Sequence, residues 1–342
     1  MELRQRYVDA LCREYDMRRD YITLPPATIY VGGGTPSVLA AGQLEQLFDV
    51  LGSAEEVTLE CNPDDVTEEF AAQLRRLPVN RVSMGAQTFN AGRLRFLHRR
   101  HTPEQVAVAI DRLRHAGIEN ISVDLIYGFP GQTLAEWESD VDHALALNVE
   151  HLSAYALTYE EGTPLHRLME QGRLHPVDEE QSRAMYYALL DRVAVAGFEH
   201  YEISNFALPG RRSRHNSGYW NHTPYLGLGA AAHSYNGRSR QWNVADVMAY
   251  MEGVESGHLA YDSEMLDEDT RYNELIMTAL RTSDGLPLQL LSDGQRAYCL
   301  RMVTRYLDGR LLIHSKETDR LRLTRDGLFV SDMIIADLMK VH

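Results

Sequence analysis

The chain has 342 residues, 44% of them hydrophobic and 24% charged, enough to bury one large core and carry a small second domain. Its 34 lysines and arginines against 49 aspartates and glutamates give a formal charge of -15, which argues against a general polyanion-binding role and so against nucleic acid as a partner. No apolar run approaches the roughly 18 residues that a spanning helix needs, so no transmembrane segment is expected.

The chain opens on an amphipathic stretch, residues 4–15, in which Val8, Leu11, Cys12 and Tyr15 recur at helical spacing. Short apolar strands are then predicted at 27–31, 57–61, 81–85, 121–128 and 151–158, each followed by a stretch of helical character. The helix after Thr102 carries Pro103 in its first turn, Val106, Ile110 and Leu113 on one face, and Gly117 as its stop. The next opens on Thr133 with Glu136 three residues on, a capping-box pattern. Alternation of this kind predicts an α/β fold with a parallel sheet; an open doubly wound sheet and a closed or partial barrel are equally compatible with it. From residue 205 to 265 periodicity fades, and an irregular connecting region is expected. Beyond it the pattern reads as helix, helix, two short strands near Leu311 to His314 and Leu321 to Leu323, and a last helix, the order of a winged helix. That C-terminal part, residues 261–342, holds 11 basic against 14 acidic residues, so the charge argues against DNA there too. Three domains are therefore expected, at 1–204, 205–265 and 266–342.

Gly32, Gly33 and Gly34 follow the first predicted strand and would let a ligand approach the backbone, although a tight strand-to-helix turn explains a lone glycine triplet equally well. Recurrence strengthens the ligand reading. Glu60, Gln87 and Asp124 also fall at or near the ends of successive strands, and in βα folds these ends converge on one face. Capping or ion pairing is the competing explanation for either carboxylate alone.

The words GGGTPS (32–37), LECNPDD (59–65), RVSMGAQTFN (81–90), SVDLIYGFPGQT (122–133), YEISNFA (201–207) and RLTRDGLFVSDMII (322–335) resemble those of the oxygen-independent coproporphyrinogen oxidase group of radical SAM proteins, over nearly the whole chain. The resemblance implies a partial βα barrel with a winged-helix-like C-terminal domain. It also implies S-adenosylmethionine contacts at Gly33, Gly34, Thr35, Glu60, Gln87, Arg99, Asp124 and Thr158, the last placed only by its spacing from Asp124. That group holds a [4Fe-4S] cluster through three cysteines spaced CxxxCxxC. This chain has no such triplet, and Cys12, Cys61 and Cys299 read as buried packing. The implied cofactor set is therefore S-adenosylmethionine, with the cluster belonging to the family form and not expected in this chain. In the group the triplet follows a strand preceding a helix similar to residues 4–15, so about thirty residues of a first βα unit are expected to be missing.

His215-Asn216-Ser217-Gly218-Tyr219-Trp220 has the form HNxxYW, which is similar to the mark of the heme-chaperone branch of this group. A histidine can offer a neutral ring nitrogen to heme iron, Tyr219 and Trp220 can cover a porphyrin face, and Arg211, Arg212 and Arg214 can pair with propionates. A solvated loop packed by its aromatics is the alternative reading of the same residues. His233, in a Gly/Ala-rich setting that suggests tight packing, is a second, weaker ligand candidate. Three functions stay open: a heme chaperone in the cytoplasm, whose partners are heme and an acceptor protein, membrane-bound or not; a coproporphyrinogen III oxidase; and an inactive scaffold.

Overall fold

The computed structural model describes residues 2–340. In chain order its first elements are α1 (Glu2–Met17), β1 (Thr28–Val31), α2 (Ala41–Leu51), β2 (Glu56–Cys61), α3 (Glu68–Leu74), β3 (Arg81–Gln87), α4 (Ala91–Phe96), α5 (Pro103–His115) and β4 (Asn120–Tyr127). Then come α6 (Leu134–Ala146), β5 (His151–Ala156), α7 (Pro164–Glu170), α8 (Glu179–Val195), β6 (Glu199–Glu202) and β7 (Asn205–Ala207). The remainder comprises α9 (Arg214–Trp220), β8 (His233–Tyr235), β9 (Ser239–Asn243), α10 (Val247–Glu255), β10 (Tyr261–Met265), α11 (Glu268–Ala279), β11 (Leu286–Pro287), α12 (Asp293–Asp308), β12 (Leu312–Ser315), β13 (Arg320–Leu323), α13 (Arg325–Phe329) and α14 (Ser331–Leu338).

These elements gather into two compact units that interleave along the chain. One holds Tyr30–Val38 and Val57–Ser213; the other holds the described residues up to Ile29, then Leu39–Glu56, then those from Arg214 on. The first is built on a seven-stranded sheet of order β1-β2-β3-β4-β5-β7-β6. From β2 to β5 each strand pairs in parallel with its successor, so the winding never reverses. A doubly wound sheet would reverse at a switch point, whereas a barrel wall runs in one sense; the sheet is a partial barrel. β7 then joins β5 antiparallel and β6 joins β7 antiparallel. Val106, Ile110 and Leu113 are buried on α5 as expected; of the expected capping box the Thr133 half forms, Thr133 Oγ1 accepting the backbone N–H of Glu136 at 3.2 Å, while the Glu136 carboxylate pairs with Arg93 at 2.9 Å. Between α6 and α8, buried Trp137 donates its indole N–H to the Met185 carbonyl at 2.9 Å.

In the second unit α1 packs beside α2, where Gln46 Nε2 donates to Asp9 at 2.8 Å. Residues 205–265 are not an irregular connector. They contain β7, α9, α10 and an antiparallel three-stranded sheet of order β10-β9-β8, whose short strands and frequent glycines erase the usual periodicity. The last part follows the expected winged-helix order, with β11 added to the β12-β13 hairpin. Its core joins Tyr272, Ile276 and Leu280 to Cys299, Val303, Leu312, Leu321, Ile334 and Leu338, and the Tyr272 hydroxyl donates to the Leu338 carbonyl at 3.0 Å.

α1 carries a buried charge. Glu14 is 0% exposed and accepts from Arg18 at 3.1 Å, the Gly229 N–H at 2.8 Å, Asn243 Nδ2 at 2.8 Å and the Tyr250 hydroxyl at 2.6 Å. Gly229 sits at φ +106, and a Cβ there would lie 2.6 Å from the Tyr7 hydroxyl, so the loop can reach this carboxylate only as glycine. One side chain thus ties α1 to the loop before β8, to β9 and to α10. Its removal strands a guanidinium, an amide and a phenol. Glu14→Ala should lower the free energy of unfolding by about 3–5 kcal/mol, and Glu14→Gln by less, in urea unfolding followed by circular dichroism; equal stability of parent and Glu14→Ala would refute the pin.

Candidate functional site

In the first unit, parallel register determines which polar groups meet. Glu60 stands beside Ser83, which stands beside Ser122, which stands beside His151. Strand side chains alternate between faces, so Thr58, Glu60, Ser83, Ser122, Asp124, Ser153 and Tyr155 share one face. Glu60 accepts the Tyr30 hydroxyl at 2.8 Å and the Gly33 N–H at 3.1 Å. Gly33 lies at φ +77, with nothing within 4 Å of a Cβ built there or at Gly34, so their backbone is open to a ligand. Gly32 is the tight one of the three, because a Cβ there would come within 2.6 Å of the Glu60 carboxyl and of the Tyr30 ring. Asp124 accepts from Ser83 Oγ at 3.1 Å and lies 3.4 Å from Ser122 Oγ.

Burial pushes both carboxyls up. For Asp124, hydrogen bonds from Ser153, Ser83 and Ser122 and the charge of Arg81 oppose the shift without cancelling it. For Glu60, the Tyr30 bond opposes it and the charge of Asp124 adds to it. Two carboxyls whose charged forms are disfavoured suit a ligand that brings positive charge.

At the end of β3 the backbone is strained. Gln87 lies at φ +67, where the register with β4 shifts; such a conformation costs about 1–3 kcal/mol in a residue other than glycine and clusters at functional sites. The bulge turns Gln87 back over Gly85. A Cβ on Gly85 would meet Gln87 Nε2 at 2.6 Å and an Arg99 guanidinium nitrogen at 3.7 Å, so the glycine makes room for both. Arg99 also donates to Asn62 Oδ1 at 2.7 Å, and burial lowers its pKa against the pull of Asp64 and Asp124.

Gly33, Glu60, Gln87, Arg99 and Asp124 thus belong to one connected polar surface. Thr35 lies at the end of the glycine turn and accepts the Val38 N–H through its carbonyl at 3.1 Å. Thr158 does not join them: β5 ends at Ala156, two residues short of the expected 158, and Thr158 is exposed beyond it. Tyr30, Asn62 and Ser83 were missed by the sequence reading. Ser83 was within reach of it, since RVSMG alternates and puts Ser83 in phase with Arg81.

The HNxxYW residues form α9 in the second unit, and no residue of that helix is buried. They make a helical turn rather than a loop. Buried Glu56 accepts the backbone N–H groups of Arg214 at 3.0 Å and His215 at 2.9 Å, which satisfies donors that a helix start leaves open. The His215 ring is held at both nitrogens, Nδ1 at 2.9 Å from Thr28 Oγ1 and Nε2 at 2.9 Å from the Tyr219 hydroxyl. Tyr219 meets the His215 ring edge-to-face at 5.0 Å and the Tyr225 ring at 4.9 Å. The Trp220 ring carries the Arg281 guanidinium at 5.3 Å.

Two of the three arginines have other engagements than the expected one. Arg214 pairs with Glu55; Arg212, in the first unit, pairs with Glu199 at 3.0 Å and lies 5.5 Å from the Tyr201 ring. Arg211 is exposed. His233 is exposed and stacks on Trp242 at 6.0 Å; the tight packing suggested for it belongs to Gly227, where a Cβ would strike the His233 carbonyl at 2.1 Å.

The cysteines stand in three different elements, Cys12 in α1, Cys61 in β2 and Cys299 in α12, all buried. Burial raises every one of these thiols, Cys299 to about 11, the opposite of what a thiolate ligand needs. Among the described residues no group of three His, Cys, Asp or Glu side chains is placed to hold a metal ion, and no helix is long and apolar enough to cross a membrane.

Residues 19–144 match the radical SAM superfamily, and residues 266–330 match the HemN C-terminal domain. The heme chaperone HemW of Lactococcus lactis is 34% identical over 94% of this chain and 86% of its own length. HemW of Mycobacterium tuberculosis is 35% identical over 98% of this chain and 86% of its own length. Among solved structures, the coproporphyrinogen III oxidase HemN of Escherichia coli superposes with a TM-score of 0.82 at 20% identity, covering 98% of this chain and 83% of that one, a likeness of fold. The chain belongs to the HemW family of heme chaperones, within the radical SAM superfamily.

Proposed function

We propose that this protein is a heme chaperone that binds heme at α9 and passes it to an acceptor protein. The observation that carries the reading is α9 itself. HNxxYW folds as a half-buried helical turn with Tyr219 exposed, whose His215 and Tyr219 are fixed relative to each other and whose base is pinned by Glu56. A chaperone must hold its cargo at a surface from which a second protein can take it, and an unburied helix meets that need. Tyr219 and Trp220 supply apolar area for a porphyrin face. Arg212 and Arg214 would each first give up an acidic partner to pair with a propionate.

The polar surface of the partial barrel fits S-adenosylmethionine. Its sulfonium and ammonium charges would answer the raised carboxyls of Glu60 and Asp124, and the open backbone of Gly33 and Gly34 can face its polar groups. Bound beside a reduced cluster, that cofactor supplies radical chemistry. This chain does not fit a cluster. Its three thiols lie in separate elements and are pushed away from the thiolate form. The relatives that match most of the chain carry the name heme chaperone, which favours the chaperone reading over the oxidase one.

Anaerobic reconstitution of the 342-residue chain, followed by iron and sulfide analysis, should leave well under one cluster per chain; close to four irons per chain would contradict the reading. Hemin titration should give a saturable Soret shift. Replacing both His215 and Tyr219 by Ala should remove most of the affinity, while Arg211→Ala, Arg212→Ala or Arg214→Ala alone should cost about 1 kcal/mol or less. A double variant that binds as the parent does would move the site away from α9.

A further inference from the structure

We infer that the atom of α9 that ligates heme iron is the phenol oxygen of Tyr219, with His215 as the residue that positions it and takes its proton. This rests on the reading of α9 as the heme site and names the atom within it.

Both nitrogens of the His215 ring are already in hydrogen bonds, to Thr28 Oγ1 and to the Tyr219 hydroxyl, each at 2.9 Å. A neutral imidazole has one N–H and one bare nitrogen. The phenol O–H donating to Nε2 leaves the N–H on Nδ1, donating to Thr28, and this pattern satisfies all three groups at once. For Nε2 to reach iron, the Tyr219 hydroxyl would have to leave the position it now holds. For the phenol oxygen to reach iron, its contact with Nε2 can stay in place. Tyr219 is 40% exposed, and in the tautomer in which the phenol O–H donates to Nε2, its oxygen spends its proton, not its lone pairs, on His215. The ring is fixed on two sides by edge-to-face contacts, His215 at 5.0 Å and Tyr225 at 4.9 Å, so the oxygen is presented in one direction. Tyrosine is an established axial ligand of ferric heme.

The exchange balances without a redox partner. The phenol O–H bond breaks, the proton bonds to Nε2, the oxygen bonds to iron(III), and the anion or water on the hemin iron departs to solvent. The imidazolium keeps that proton on Nε2, facing the iron-bound oxygen. His215 serves as a positioning residue: through Thr28 it is oriented, and through Nε2 it stabilises the phenolate with a charge-assisted hydrogen bond.

The test is the ferric hemin complex of the full chain, read by visible absorption and resonance Raman, beside Tyr219→Phe and His215→Gln. The parent should show phenolate-to-iron(III) charge transfer and phenolate ring modes. Tyr219→Phe should lose both and weaken hemin binding by more than about tenfold, whereas His215→Gln should keep the phenolate modes and weaken binding by roughly 10–100-fold, as loss of a ligand-orienting group does. A parent spectrum free of phenolate modes, with an imidazole signature that His215→Gln removes and Tyr219→Phe leaves intact, would overturn the assignment and leave α9 as the heme site. A parent that binds no hemin overturns both. The parent spectrum decides between the two ligands even if a variant does not fold.

Discussion

Parallel pairing in chain order governs where chemistry can occur in the first unit. Side chains on a strand alternate, and a one-residue slip would move every one of them to the opposite face. With Glu60 beside Ser83, Ser83 beside Ser122, and Gly85 beside Asp124, residues scattered over more than sixty positions form a single polar surface. The apolar residues between them, Leu59, Val82, Met84, Val123 and Leu125, are fully buried. The strain at Gln87 and the small residue at Gly85 follow from the same constraint. Once β3 is locked between its neighbours, a bulge is the available way to turn an amide back toward the surface that Glu60 and Asp124 share.

The second unit meets a different demand, a surface helix held still. α9 is too short to be stable alone, and it buries none of its residues fully. Its fixity comes from long-range polar contacts, Glu56 on its first amides and Thr28 on the His215 ring. Elsewhere in the unit the four bonds to Glu14 hold α1, β9, α10 and the Gly229 loop in register. A buried carboxylate is costly unless every lone pair is used, and here the demand is met by groups from four separate segments, so the unit orders as a whole.

Much of this was legible in the sequence. The βα repeats, the Thr133 cap and the helix-helix-hairpin-helix ending carry their signal in local residues, and the motif words located Gly33, Glu60, Gln87, Arg99 and Asp124. What was not legible is long-range. Thr28 and Glu56 are ordinary strand residues until folding brings them to His215. Arg212 and Arg214 read as free guanidinium groups because Glu199 and Glu55 are distant in sequence. Residues 205–265 hid four strands and two helices because each element is short. Thr158 was placed by spacing alone, and β5 ends before it.

The account stands on one claim, that the protein carries heme in order to give it away. The direct measurement is heme transfer from the loaded chain to a heme-free acceptor such as an apoglobin, followed by stopped-flow absorption over a range of acceptor concentrations. Handover from a surface helix predicts a transfer rate that rises with acceptor concentration, because the acceptor takes heme from the complex. A rate that stays constant across the range, equal to the spontaneous release of heme into water, would contradict it.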